Sequence, residues 1–295
     1  MADEHLLKPG WKSRKVKLSK VELHCVVAGK GPPLVFLHGW PEFWYSWKNQ
    51  ISEFSRDHTV IVPDLRGFNH SNFEGAPEDF SIDELCADIA DLIQAFSGEG
   101  AVVVGHDWGA IIAWCFAEKH PQLTKKLISL SIPHLKIFEE VHRRSFALKM
   151  ACLHFRLLQP ARLPEFLLSA FNFLNIKFLF RTASGNWAPV RSELKHYVAA
   201  IAKPGVLTST INYYRANLNS KRIYSLMATG AVQCPTLLLY GDKDPVWPRS
   251  LRRKLSDTSV YMTGEFEHHC IADAGHWLQI EASEMVNRYM AEFIR

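Results

Sequence analysis

The sequence predicts an α/β fold: a mostly parallel, doubly wound central sheet with helices on both faces and a helical lid inserted into it. Three observations carry that prediction. Apolar and β-branched runs of strand length alternate with helix-patterned segments over residues 1–133, and strands resume over 231–295. Gly105-His106-Asp107-Trp108-Gly109 joins one of these strands to a helix through a tight turn with a glycine on each side. Between the two strand-bearing parts, residues 134–230 lose the strand signal and hold 14 Lys and Arg against 4 Asp and Glu, whereas the rest of the chain holds 20 against 26. A stretch of that length is no loop, so 1–133 and 231–295 read as the core and 134–230 as the lid.

The elements come in order. Residues 16–28 alternate loosely and read as a strand or hairpin. Lys12, Lys15, Lys17 and Lys20 mark a solvated strand edge; no aromatic pattern accompanies them, which argues against nucleic-acid binding. Residues 33–37 form a strand that runs into His38-Gly39-Trp40-Pro41, a tight turn where the bond before Pro41 can be cis. Residues 59–62 are a strand closed by Pro63-Asp64-Leu65-Arg66-Gly67, in which Asp64 reads as a structural cap with Arg66 as its neighbour. Residues 81–96 read as a helix with a Ser81/Glu84 capping box and an apolar face of Leu85, Ile89, Leu92, Ile93 and Phe96. After the strand at 101–104, a helix over 108–119 stops before Pro121, and 126–132 is a strand. The lid is broken at Pro160, Pro164, Gly185, Pro189 and Pro204-Gly205. Residues 235–240, 259–262 and 267–271 read as strands, and 282–294 as a closing helix.

The chain has 295 residues, 47% of them hydrophobic, enough for one large core with an insertion. No uninterrupted apolar run approaches the ~18 residues of a membrane span. The opening Met-Ala-Asp-Glu-His lacks the layout of a signal peptide, so the expected compartment is the cytoplasm. Six cysteines are scattered without C-x-x-C spacing, which points to buried thiols rather than a metal site or a disulfide scaffold.

The turn at 105–109 has the pattern of a nucleophile elbow, in which a strained bend lifts one side chain to the edge of the sheet. Ser usually occupies that position, and here it is Asp107. A carboxylate there attacks carbon and gives an alkyl ester, so the electrophile is expected to be an epoxide or an alkyl halide. The backbone N–H of Trp40 can face the elbow and, with that of Trp108, form an oxyanion hole. A carboxylate comes after a late strand, with Asp242 and Asp244 as candidates, and His276 lies near the C-terminus. A neutral imidazole near its ordinary pKa of ~6.5 suits general-base work, and a buried carboxylate would fix its tautomer. His106 reads as a packing or hydrogen-bonding residue of the elbow, and His268 and His269 as surface or strand residues.

H-G-W-P, P-D-L-R-G, G-H-D-W-G, G-D-K-D and G-H-W together resemble the epoxide hydrolase branch of the α/β-hydrolase superfamily, whose nucleophile is an Asp. The resemblance covers the core and, less tightly, the lid. It implies an α/β-hydrolase fold and addition of water to an epoxide to give a vicinal diol. Asp107 would be the nucleophile and His276 the base, and Asp244, at the family's position, is favoured over Asp242 as the orienting acid. It implies two lid residues facing the epoxide oxygen. One is Tyr214, with Tyr213 adjacent as an alternative. The other falls on His154 where the family more often has Tyr, since no Tyr occurs between Tyr45 and Tyr197. Tyr214 is then expected to be the main proton donor. No cofactor or metal is implied, and the partner is a small-molecule epoxide, with the chain a monomer or homodimer.

Haloalkane and haloacid dehalogenases share the Asp nucleophile. The first need a further halide donor, for which the lid offers only Trp187. The haloacid type resembles this lid over 159–165, but it needs Arg where this chain has Trp108 and Ile111, and an acid where it has Ser131. A non-catalytic binder on the same scaffold usually lacks a triad member, and none is missing here. Phe166, Leu167, Leu168, Phe171, Phe173, Leu174, Phe178 and Phe180 lie among Lys177 and Arg181. They read as lid helices packing on the core with a cationic outer face; the alternative is attraction of acidic amphiphiles or weak contact with an anionic membrane surface.

Overall fold

Eight strands build one sheet: β1 (Lys12–Lys17), β2 (Glu22–Ala28), β3 (Pro33–Leu37), β4 (Thr59–Pro63), β5 (Ala101–His106), β6 (Thr124–Leu130), β7 (Thr236–Gly241) and β8 (Phe266–Ile271). Their order is β1-β2-β4-β3-β5-β6-β7-β8. The β1–β2 and β2–β4 pairs are antiparallel, and every pair from β4–β3 to β7–β8 is parallel. β5 is buried along its whole length, as a central parallel strand covered on both faces must be. β1 is the edge, and its lysine-rich side chains are exposed. This is a computed structural model; it describes residues 3–71, 73–218, 231–247 and 249–295, without the side chains of Ala147, Ala151, His154, Arg249 and Ser256.

The helices are α1 (Lys48–Phe54), α2 (Ile82–Phe96), α3 (Trp108–Lys119), α4 (Leu135–Arg144), α5 (Phe146–Ala151), α6 (His154–Leu157), α7 (Leu163–Ala183), α8 (Trp187–Ile201), α9 (Val206–Asn217), α10 (Arg249–Arg252), α11 (Leu278–Glu281) and α12 (Ser283–Ile294). α2 packs with α3, which lies against β3, β5 and β6, while α1 and α12 pack together against β4 and β7. The parallel strands point their C-terminal ends to one edge, where α/β sheets place their ligands. α4 to α9 all lie in the chain between β6 and β7.

Several local expectations give way to tertiary contacts. Residues 255–261 form a 3-10 helix instead of contributing a strand at 259–262. Tyr261 there stacks on His134 and donates to Glu140, which ties the segment to α4. Ser81 caps α2 without its side chain; Glu84 reaches Lys20 instead of closing a capping box. Pro164 and Pro189 lie in the first turns of α7 and α8 and so start helices rather than break them. α7 is 21 residues long and its most apolar 18-residue window has a mean hydropathy of 1.2, so by length and composition alone it meets the measure of a membrane span although scattered polar residues interrupt the run. Its backbone nevertheless leaves helical geometry from Ala170 to Phe173, so it is not one continuous helix.

Asp64 and Arg66 are not partners. Asp64 accepts from the Trp44 N–H and pairs with His24 at 2.7 Å. Arg66, 2% exposed, forks onto Asp88 at 2.6 and 2.7 Å. Removing one member of a buried pair strands the other charge. Asp88→Ala is therefore expected to lower unfolding stability by about 3 kcal/mol, read from the urea midpoint at unchanged slope.

Candidate active site

Asp107 sits between β5 and α3 with φ 50° and ψ −117°, a strained conformation for a side chain of its type. The flanking glycines make the bend possible by close approach. A Cβ on Gly105 would lie 2.3 Å from the Gly109 carbonyl oxygen, and one on Gly109 would lie 2.1 Å from that of Leu37. The turn after β3 folds over the bend through a cis Trp40–Pro41 bond. The Trp40 N–H donates to Asp107 Oδ1 at 2.9 Å. Trp108 opens α3, and the first N–H groups of a helix have no acceptor within it.

β7 and β8 deliver the other two groups. His276 Nε2 stands 3.6 Å from Asp107 Oδ2, and Nδ1 lies 2.9 Å from Asp244 Oδ2. Asp244 is held in turn by the Val246 N–H at 2.8 Å. Asp242 makes no contact with the imidazole; its backbone binds Ile271 and Arg252. Burial pushes the Asp107 carboxyl up, but the hydrogen bond and charge of His276, the charge of His106 and the Trp40 N–H hold it below the usual carboxylate value. Burial likewise presses His276 towards neutrality; the Asp244 charge and the bonds to both carboxylates outweigh it and raise the pKa well above 6.5. The surroundings therefore favour the charged imidazole over the neutral form that its ordinary pKa leads one to expect. Two anions on one ring are the cause.

A cavity of about 700 Å³ lies over these groups, with Asp107, His276, Trp40 and Tyr214 in its wall. Tyr214, from α9, is raised well above pKa 10 by burial and by the Asp107 charge, against a hydrogen bond from the Trp108 side chain. Tyr213 points elsewhere: it is buried and donates to the Arg66 carbonyl at 2.7 Å. His154 begins α6, whose neighbours Leu157 and Leu158 line the cavity; the His154 side chain lies outside the described residues. Among the described residues no group of three His, Cys, Asp or Glu is placed to hold a metal ion.

Residues 32–283 match the α/β-hydrolase-fold family. The chain is 33% identical over 288 residues to Epoxide hydrolase 4 of Mus musculus, covering 95% of this chain and 78% of that protein. The chain belongs to the epoxide hydrolase branch of the α/β-hydrolase family. It is 32% identical to Epoxide hydrolase 1 of Caenorhabditis elegans over 97% of this chain and 70% of that one. The crystal structure of a Bacillus megaterium epoxide hydrolase with an inhibitor superposes with a TM-score of 0.85 at 26% identity, covering 95% and 99% of the two chains.

On this α/β-hydrolase scaffold a layer lies behind Asp107: His106 hydrogen-bonds at the elbow as the sequence leads one to expect, while its partners Glu42 and Gln279 were missed by sequence reasoning. His106 is fully buried, with Nδ1 2.8 Å from Glu42 Oε2 and Nε2 2.8 Å from the His276 carbonyl. Gln279 donates to the other Glu42 oxygen at 2.7 Å, and the Gly39 N–H to Oε2 at 2.9 Å. One buried carboxylate thus ties the turn carrying Trp40 to the elbow, and His106 ties the elbow to the backbone of His276. The one sequence signal was an acidic residue straight after H-G-W-P. The dehalogenase positions are otherwise engaged. The Ser131 hydroxyl donates to the His276 carbonyl at 3.0 Å, and Trp187 lies under Arg181, away from the cavity.

Proposed function

We propose that this chain adds water to epoxides, giving vicinal diols in two steps through an ester on Asp107, with α4 to α9 as a lid over the site. The observation that carries the reading is a buried carboxylate at the elbow, backed by the His276–Asp244 pair and open to a cavity that also holds Tyr214. Likeness to proteins named epoxide hydrolases supports it. Asp107 Oδ2 attacks a ring carbon, and the carbon–oxygen bond breaks. Tyr214 gives its proton to the leaving oxygen and regains one from the His276 imidazolium. Alkylation also erases the Asp107 charge, one of the two that hold the proton on His276, so the imidazole is released as a base at the moment it is needed. His276 Nε2 then takes a proton from water, whose oxygen attacks the ester carbon. The Trp40 and Trp108 N–H groups carry the oxyanion. Collapse expels the diol oxygen, which takes the proton back from His276; the Asp107 carboxyl left behind then passes its own proton to His276, which restores the carboxylate and the imidazolium.

This route places the water oxygen in Asp107 before it reaches any diol. A single turnover of styrene oxide by excess enzyme in oxygen-18 water should give unlabelled diol and a labelled Asp107 peptide. Label in the first diol would overturn the ester, and halide release from a chloroalkane without diol formation would favour a dehalogenase. The Tyr214 role has its own check. Tyr214→Phe should slow the alkylation burst, monitored by tryptophan fluorescence, about 100-fold, and His154→Phe should slow it less. Equal or reversed effects would remove Tyr214 as principal donor.

A further inference from the structure

The described inserted helices leave an apolar surface uncovered, and the cavity opens onto it. Phe146, Met150, Leu153 and Leu157, on α5, α6 and the turn between them, are all exposed and mark an apolar stripe in the chain at spacings of four, three and four. On α7, Leu174, Phe178 and Arg181 repeat the spacing and are likewise exposed. Phe166 and Phe171 are 70% and 86% exposed. Of the nine aromatic and leucine residues from 166 to 180, Phe180 alone is fully buried, Leu168, Phe173 and Leu179 are half-buried against the core, and the other five are exposed. The two stripes meet at the site: Leu157 and Phe178, each 65% exposed, also line the cavity above Asp107. Only 17% of the most apolar α7 window is buried, so α7 is not a core helix.

The charge on this face chooses the occupant. Over residues 143–181 seven Lys and Arg stand against a single Glu; Arg143 is paired with Glu139 at 2.6 Å and Glu165 with Arg215 at 2.8 Å. Lys149, Arg156 and Arg162 are exposed beside the apolar stripes. Apolar side chains rimmed by these cations match a surface that is greasy inside and anionic outside. We propose that the α5–α7 face docks on an anionic phospholipid bilayer and turns the mouth of the cavity to it, so that lipophilic epoxide passes from lipid to Asp107. The transfer half of this inference rests on the epoxide hydrolase reading; the docking half does not.

Co-sedimentation with vesicles tests docking. The full chain should bind phosphatidylcholine vesicles carrying about one-third phosphatidylserine at least tenfold more tightly than phosphatidylcholine alone, and salt should release it. The Phe146→Ser/Phe166→Ser/Phe171→Ser and Lys149→Gln/Arg156→Gln variants should each lose about tenfold or more of that binding. All five sites are exposed and outside the catalytic machinery, so circular dichroism should be unchanged. Binding that ignores phosphatidylserine, or survives both variants, overturns the proposal. So does a wild-type chain that self-associates through this face in sedimentation velocity and ignores vesicles, since a second copy is then the occupant. For transfer, hydrolysis of methyl epoxystearate held in the anionic vesicles should fall about tenfold in both variants, with styrene oxide turnover in buffer unchanged. Equal loss on both substrates places the face in the catalytic fold and overturns the proposal. A chain that turns over neither substrate yet binds the vesicles refutes the epoxide hydrolase reading and leaves docking supported.

Discussion

Asp107→Ala is expected to lower turnover of any epoxide by about four to six orders of magnitude, since on the proposed route it deletes the group that forms the bond to carbon. Among the described residues no other carboxylate lines the cavity. His276 lies 3.6 Å behind Asp107 with Nδ1 on Asp244, and burial and the Asp107 charge raise the Tyr214 pKa, which favours its neutral phenol. The variant has a second signature. With one of its two anions gone, the imidazole should titrate at lower pH than in the wild type, read by the NMR shift of its ring protons. The signs of the two shifts set the stability profile. Asp107 is depressed below 3.8, so its ionised form stabilises the native state above that value and the benefit fades as pH falls through the folded pKa. His276 is raised above 6.5, so its charged form stabilises the native state below 6.5 and the benefit fades as pH climbs through the raised value. Wild-type stability relative to Asp107→Ala should therefore peak between those two pH values. Activity retained above about one part in a hundred would mean that water adds to the epoxide directly.

How much of this was legible before folding depends on distance along the chain. The elbow is local: two glycines that tolerate no Cβ and one residue between a buried strand and a helix. Asp244 and His276 were legible because each comes just after a strand, and parallel strands carry the residues at their C-terminal ends to one edge. The Glu42–His106–Gln279 layer was not, because it joins residues 64 and 237 positions apart, and no periodicity reports which buried acid meets which base. Arg66 illustrates the same limit. Its sequence neighbour Asp64 turns to His24, and its partner Asp88 comes from α2. The upward shift of His276 escaped for a related reason, since an ordinary pKa ignores two anions brought in from separate loops. The inserted helices mislead in the opposite direction. Their apolar residues read as core-facing, yet α7 leaves helical geometry at Ala170–Phe173 and presents several of them outward.

His276→Gln should separate the two steps that Asp107→Ala abolishes together. Gln cannot carry a proton from water, so hydrolysis of the ester should slow by about three orders of magnitude, the scale of a lost general base. Alkylation should survive, because the nucleophile keeps the Trp40 N–H at 2.9 Å and the proton donor keeps its place on the cavity wall. Mixing the variant with styrene oxide should then give a burst of one equivalent and an adduct of one epoxide mass on the peptide containing Asp107. The acid limb of the burst should also move. His276 supplies the leading hydrogen bond and charge that offset the burial of Asp107; without them the carboxyl titrates at higher pH, and the burst should fade at a pH where the wild type still alkylates. A stable adduct on another residue would displace Asp107 as nucleophile. No adduct, with diol still forming at the wild-type rate, would mean that the imidazole takes no part in the rate-limiting chemistry.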